Sequence, residues 1–278
     1  MFKRIAVHIE KDSACPARTA VAAELAARFN AQLIGLYVSP ALPRYPFDEA
    51  MLPAALYHEV RKQQTDDRKR CEQEFQQRAQ AADVASQWRA PEGNAERVLA
   101  LHARLADLLV LSQAGESADE SSVDAAVMGT IVLSVGRPVL AVPRAARSSS
   151  AGKRILVCWD HGREAARALA DAAPLLAQAE EIHALTLDPD GSAMRSRATV
   201  PGDLRAWFGA HGYVEPHIAE RDTAGIRVGN AILNAASDYS CDLIVMGLYG
   251  HSRAREWILG GASREILKNM TVPVLFSH

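Results

Sequence analysis

The stretch Ala106-Asp107-Leu108-Leu109-Val110-Leu111 returns near the end of the chain as Cys241-Asp242-Leu243-Ile244-Val245-Met246. Arg137-Pro138-Val139-Leu140-Ala141-Val142 returns as Val272-Pro273-Val274-Leu275-Phe276-Ser277, at the same offset and without a gap. Two matched blocks in one register mean a tandem duplication, and a repeat decides the architecture before any motif does. Continuous apolar runs such as Leu108 to Leu111 suit strands buried on both faces, as in a parallel sheet.

The match extends outward to the start of each half. Arg4-Ile5-Ala6-Val7 corresponds to Arg154-Ile155-Leu156-Val157. Each strand precedes an Ala-rich helical stretch, Pro16 to Asn30 and Arg163 to Ala179, and then a second strand, Gln32 to Val38 and Glu181 to Leu187. Alternation of this kind implies right-handed βαβ crossovers. The predicted fold is α/β, two tandem doubly wound parallel-sheet domains spanning 1–144 and 152–278. They join through Ala145 to Gly152, a polar stretch of small residues. After the second strand the halves differ. Tyr57 to Ala82 reads as one long charged helix, whereas Asp188 to His211 holds turn formers and a short helix around Leu204 to Phe208. Val139 to Val142 and Val274 to Phe276 are predicted to pair within the chain as in a dimer, covering two sheet edges; further self-association as a homodimer stays open.

Composition narrows the function. Of 278 residues, 49% are hydrophobic and 23% charged, with 17 Gly and 13 Pro, which excludes collagen-like, disordered and disulfide-scaffold classes. Lys and Arg number 31 against 33 Asp and Glu, a formal charge of −2, so no global field attracts nucleic acid or anionic lipid. No segment reaches the roughly 20 apolar residues of a membrane helix, and the N-terminal run is broken by His8 and Glu10. Cys15, Cys71, Cys158 and Cys241 lack metal or disulfide spacing. No metal site and a cytoplasmic location are the expectations.

Chemistry concentrates in Met246-Gly247-Leu248-Tyr249-Gly250-His251-Ser252-Arg253-Ala254-Arg255-Glu256-Trp257-Ile258-Leu259-Gly260-Gly261-Ala262-Ser263. The pattern G-x2-G-x9-G-G-x-S lies between a strand and a helix. A helix starting near Gly261 aims the N–H groups of Gly261, Ala262 and Ser263 at an anion, with about 0.3–1 kcal/mol from the helix dipole. This segment resembles the nucleotide-binding signature of the universal stress protein family, G-x2-G-x9-G-[S/T] followed by a helix and a Pro-Val-Leu strand. The resemblance covers both halves.

What it implies is binding of an adenine nucleotide, ATP or a relative with Mg2+ in company, in the second half of a cytoplasmic stress-response protein. Asp160 and Met246 would border adenine, and Gly247 and Gly250 would lie along the ribose and first phosphates. Gly260, Gly261, Ala262 and Ser263 would receive the distal phosphates, with His251, Ser252 and Arg253 in the loop beside them. The chain departs from the family where its Ser/Thr should follow the third glycine, since Gly261 stands there; Ser263 or Ser252 could supply the hydroxyl. In the first half Ser112, Ala125 and Ala126 replace Gly247, Gly260 and Gly261, Gly115 matches Gly250, and Glu10 replaces Asp160. Glu116, Asp119, Glu120 and Asp124 would repel phosphate, so this half is expected to bind no nucleotide.

Catalysis is not indicated. Phosphoryl transfer calls for a cationic clamp, a magnesium-binding carboxylate and a positioned nucleophile. The loop has no lysine, and Asp160 is the sole acid placed at the site. Slow ATP hydrolysis, which some members of the resembled family show, remains open, as does a nucleotide-independent interaction protein.

Overall fold

The structure, a computed structural model, describes residues 1–40, 54–115, 123–146, 150–187, 202–223, 225–248 and 261–278. In the first half the order is β1 (Arg4–Ile9), α1 (Cys15–Phe29), β2 (Gln32–Tyr37), α2 (Ala54–Ala81), β3 (Ser86–Arg89), α3 (Ala95–Ala103), β4 (Leu108–Ser112), α4 (Ala125–Val135) and β5 (Val139–Val142). The second half runs β6 (Arg154–Cys158), α5 (Arg163–Asp171), α6 (Ala173–Leu176), β7 (Glu181–Leu187), α7 (Asp203–Ala210), β8 (His217–Arg221), α8 (Val228–Asp238), β9 (Leu243–Gly247), α9 (Gly261–Asn269) and β10 (Val274–Ser277). The helical stretch expected over Arg163 to Ala179 is divided, because Pro174 has no N–H to give the carbonyl of Ala170.

Among the described residues the strands form one sheet ordered β3-β2-β1-β4-β5-β10-β9-β6-β7-β8. Within each half all pairs are parallel, and the crossover order 3-2-1-4-5 repeats as 8-7-6-9-10. The halves meet in an antiparallel pair, with Leu140 opposite Leu275, Ala141 opposite Val274 and Val139 opposite Phe276. Every residue of β4, β5 and β10 is buried, which explains their unbroken apolar sequence. The linker region is tied down by Arg28, whose Nη2 donates to the carbonyl of Ala151 at 2.8 Å. Gln113 crosses between halves: its Nε2 donates to the carbonyl of Lys268 at 2.8 Å, while its Oε1 accepts from the Arg144 amide at 3.2 Å.

Two apolar layers sandwich the sheet. One lies beneath α1, α2, α5, α6 and α7 and includes Phe2, Val21, Phe75, Leu169 and Phe208. The other lies beneath α3, α4, α8 and α9 and includes Leu99, Ile131, Ile232 and Ile266. The repeated aspartates brace the first strand of each half. Asp107 Oδ2 accepts the amides of Lys3 and Arg4 at 2.7 and 2.9 Å. Asp242 accepts those of Gly152, Lys153 and Arg154 at 2.9, 3.1 and 3.0 Å.

Candidate functional site

A doubly wound sheet opens a crevice at the carboxyl ends of its strands where the order reverses. Here the two crevices fall between β1 and β4 and between β6 and β9. In the second, β6 ends at Cys158 and the chain turns through Trp159, Asp160 and His161 into α5. Asp160 Oδ1 accepts the Gly162 amide at 2.7 Å, which fixes the carboxylate at the start of that helix. His161 adopts φ 59°, and its Nδ1 accepts from Trp159 Nε1 at 3.1 Å. Met246, buried, and Gly247 end the neighbouring β9.

Gly247 has a packing requirement of its own. A Cβ there would stand 2.5 Å from the carbonyl carbon of Glu164 and 2.6 Å from its Cβ, so only glycine lets α5 close on β9. At the far side of the crevice α9 begins at Gly261, which is exposed and beside which a Cβ would meet nothing within 4 Å among the described residues. Ala262 is half-buried and Ser263 buried, so the Ser263 side chain belongs to the helix's packed face. The helix start is held by α8: a Cβ on Gly229 would lie 2.9 Å from the Ala262 carbonyl oxygen and 2.8 Å from Glu265 Cβ. Arg264 is exposed. Gly250, His251, Ser252, Arg253, Arg255 and Gly260 lie outside the described residues.

The corresponding crevice of the first half is filled by the chain itself. Arg18 of α1 is fully buried, and its Nη1 donates to Asp12 Oδ2 at 3.1 Å and to the hydroxyl of Ser112 at the end of β4. Glu10 Oε1 stands 4.0 Å from the same nitrogen and 3.8 Å from Nδ1 of the buried His8. Burial, with Arg18 beside it, pushes the His8 imidazole down to about 3, so it is neutral. Burial also pushes the Asp12 carboxyl up, against the guanidinium that pulls it down. By the register that aligns Arg4 with Arg154, Arg18 corresponds to Ala168; by the one that aligns Asp107 with Asp242, Ser112 corresponds to Gly247.

The helix N-terminus is also spent. Asp124 caps α4, its Oδ1 accepting the Val127 amide at 2.8 Å, so the chain's own carboxylate sits where an external anion would bind. Glu116, Asp119 and Glu120 lie outside the described residues. Arg18 and Asp12 belong to no motif of the sequence. A signal existed: Arg18 lies in helical register with Ala22, Leu25 and Phe29 on the buried stripe of α1, where a charged residue requires a partner.

The universal stress protein family model matches residues 1–143 and 152–278. The chain belongs to the universal stress protein family. A universal stress protein from Archaeoglobus fulgidus DSM 4304 is similar over 99% of this chain and 97% of its own, with a TM-score of 0.74 and 17% identity. A functionally unknown protein from Pseudomonas aeruginosa PAO1 is similar over 99% of this chain and 92% of its own, with a TM-score of 0.57 and 15% identity. Both likenesses concern the fold. No curated protein matches in sequence. As a two-segment member of the universal stress protein family, the chain carries one crevice closed by an internal ion cluster and a second lined by glycine and a helix start. Among the described residues no helix is long and apolar enough to cross a membrane.

Proposed function

We propose that this universal stress protein acts in the cytoplasmic stress response and binds one adenine nucleotide, ATP with its Mg2+, as a ligand or signal in the domain spanning 152–278. The observation that carries the reading is the difference between two crevices of common descent. Where the first places Arg18, Ser112 and the Asp124 cap, the second has Ala168, Gly247 and Leu259 in sequence, with no carboxylate at the capping position. The Asp160 carboxylate, already oriented by the Gly162 amide, suits a donor such as an adenine amino group or a ribose hydroxyl. The exposed start of α9 suits phosphate oxygens, which accept from backbone N–H groups. The family resemblance assigns Gly250 and Gly260, with His251, Ser252 and Arg253, to the same cradle.

The arrangement binds and orients; among the described residues of this crevice it offers no activated nucleophile, which favours a ligand over a turnover substrate. The domain spanning 1–144 serves as a structural partner, the two domains standing as the subunits of a dimer would, a reading supported by the β5–β10 pairing. Calorimetric titration of the full chain with ATP tests the proposal: saturable heat is expected, and Gly250→Val is expected to abolish it. Absence of heat and of a thermal shift would favour a nucleotide-independent interaction protein, and ADP accumulating during long incubation would favour a weak ATPase.

A further inference from the structure

A cavity of about 140 Å³ opens between the start of α1 and the middle of α2, in the first half. It lies on the α1/α2 side of the sheet and reaches Glu10 and Asp12 of the ion cluster; no residue of α4 lines it, and the proposed nucleotide site of the second half does not use it. Its walls carry two thiols from helices far apart in sequence, Cys15 and Cys71. The charges that line it are matched: Glu10 and Asp12, at its inner wall, face Arg18 at 4.0 and 3.1 Å, and the others pair at the rim. Lys11 Nζ stands 3.1 Å and Arg70 Nη2 2.6 Å from the Asp67 carboxylate, and Arg78 Nη1 stands 3.6 Å from Glu74. A cavity balanced in this way has little hold on an anion or a cation, and it admits a small neutral molecule. The reactive groups it then offers are the sulfurs.

The two thiols are differently placed. Cys15, the first residue of α1, is half-buried, with its Sγ 3.8 Å from the Thr19 hydroxyl. Cys71 is buried, and its thiol is pushed up to about 11, by burial first and then by the neighbouring Cys15. A neutral oxidant entering the cavity therefore meets Cys15 as the accessible sulfur, with Cys71 held protonated behind it.

We propose that Cys15 and Cys71 are a peroxide-responsive dithiol that closes to a disulfide and ties α1 to α2. The Cys15 sulfur attacks hydrogen peroxide; the S–O bond forms, the O–O bond breaks, and the departing hydroxide takes the thiol proton to become water. Cys15 is then a sulfenic acid. The Cys71 sulfur attacks it, the S–O bond breaks, and the leaving hydroxide takes the Cys71 proton as a second water. Two thiols are oxidised by two electrons, and one peroxide is reduced to two waters. A small-molecule dithiol reverses the reaction by exchange.

The test treats the full chain with hydrogen peroxide and maps it by non-reducing digestion and mass spectrometry. The expected product is a linked pair of peptides containing Cys15 and Cys71. Cys158 and Cys241, which do not line the cavity, are expected to remain reduced. In the Cys71→Ser variant Cys15 should accumulate as a sulfenic acid trapped by dimedone, and Cys15→Ser should lose both products. Oxidation of Cys15 without linkage to Cys71, or linkage between Cys15 residues of two chains, would overturn the proposal. So would equal oxidation of all four thiols. Because neither cysteine touches the second-half crevice, ATP titration of the oxidised chain separates this result from the nucleotide reading.

Discussion

Arg18 donates a hydrogen bond to the hydroxyl of Ser112 across the carboxyl ends of β1 and β4, and Ser112 stands where the second half has Gly247. Arg18 and Ser112, where the second half has Ala168 and Gly247, thus build a buried ion cluster into the first-half crevice together with Asp12 and Glu10. The cluster is maintained by mutual neutralisation, since Arg18 alone would be an uncompensated charge in the interior.

Removing Arg18 should therefore cost more than removing its contacts. Arg18→Met leaves Asp12 and Glu10 without their cation, and a loss of about 3–5 kcal/mol is expected in denaturant unfolding of the full chain. Adding Asp12→Ala should return part of that loss, because the second change removes the stranded carboxylate. A double variant no more stable than Arg18→Met would show that the cluster is not coupled.

Gly247 and Gly261 should respond oppositely to a side chain. Gly247→Ala drives a Cβ into Glu164, and about 1–3 kcal/mol of destabilisation is expected, together with weaker ATP binding. Gly261→Ser meets no neighbour among the described residues, should leave stability unchanged, and restores the hydroxyl found in the family signature. Its ATP affinity should rise about 2- to 10-fold, the worth of one net hydrogen bond. Thermal unfolding and calorimetry check both variants.

These contrasts show what the sequence made legible. The duplicated blocks located β4, β9, β5 and β10, since strands buried on both faces must be apolar throughout. The edge strands β3 and β8 escaped notice because Ser86-Gln87-Trp88-Arg89 and His217-Ile218-Ala219-Glu220-Arg221 are short, partly exposed and polar. The glycine spacing marked the start of α9 correctly at Gly261. What it could not convey was the reason for Gly247, whose neighbour α5 approaches from elsewhere in the chain. Nor could spacing reveal that Arg18 and Ser112, distant in sequence, meet in the interior.

Acid should weaken the first half. An unfolded histidine takes a proton near 6.5, whereas folded His8 does not until about 3. Between those values the unfolded chain binds more protons, so stability falls as pH is lowered through that window. Asp12, raised by burial, acts in the opposite sense just above its ordinary 3.8, so the His8 slope is cleanest in the upper part of the window. Unfolding free energies measured across pH should show this slope, and His8→Gln should flatten it; an unchanged slope would assign the acid sensitivity elsewhere.

The brace formed by Asp242 is expected to matter for the second half as a whole. Asp242→Ala forfeits three amide hydrogen bonds at the start of β6, and about 1.5–3 kcal/mol should be lost. Hydrogen exchange should show Lys153 and Arg154 opening faster, while the amides of β1, braced separately by Asp107, keep their protection.

The central claim is a division of labour, one half closed on itself and the other open to a nucleotide. Native mass spectrometry of the full chain with ATP tests it most directly. A single bound nucleotide per chain is predicted, lost in Asp160→Ala and retained in Arg18→Met. Two nucleotides per chain, or one that survives Asp160→Ala, would contradict the account.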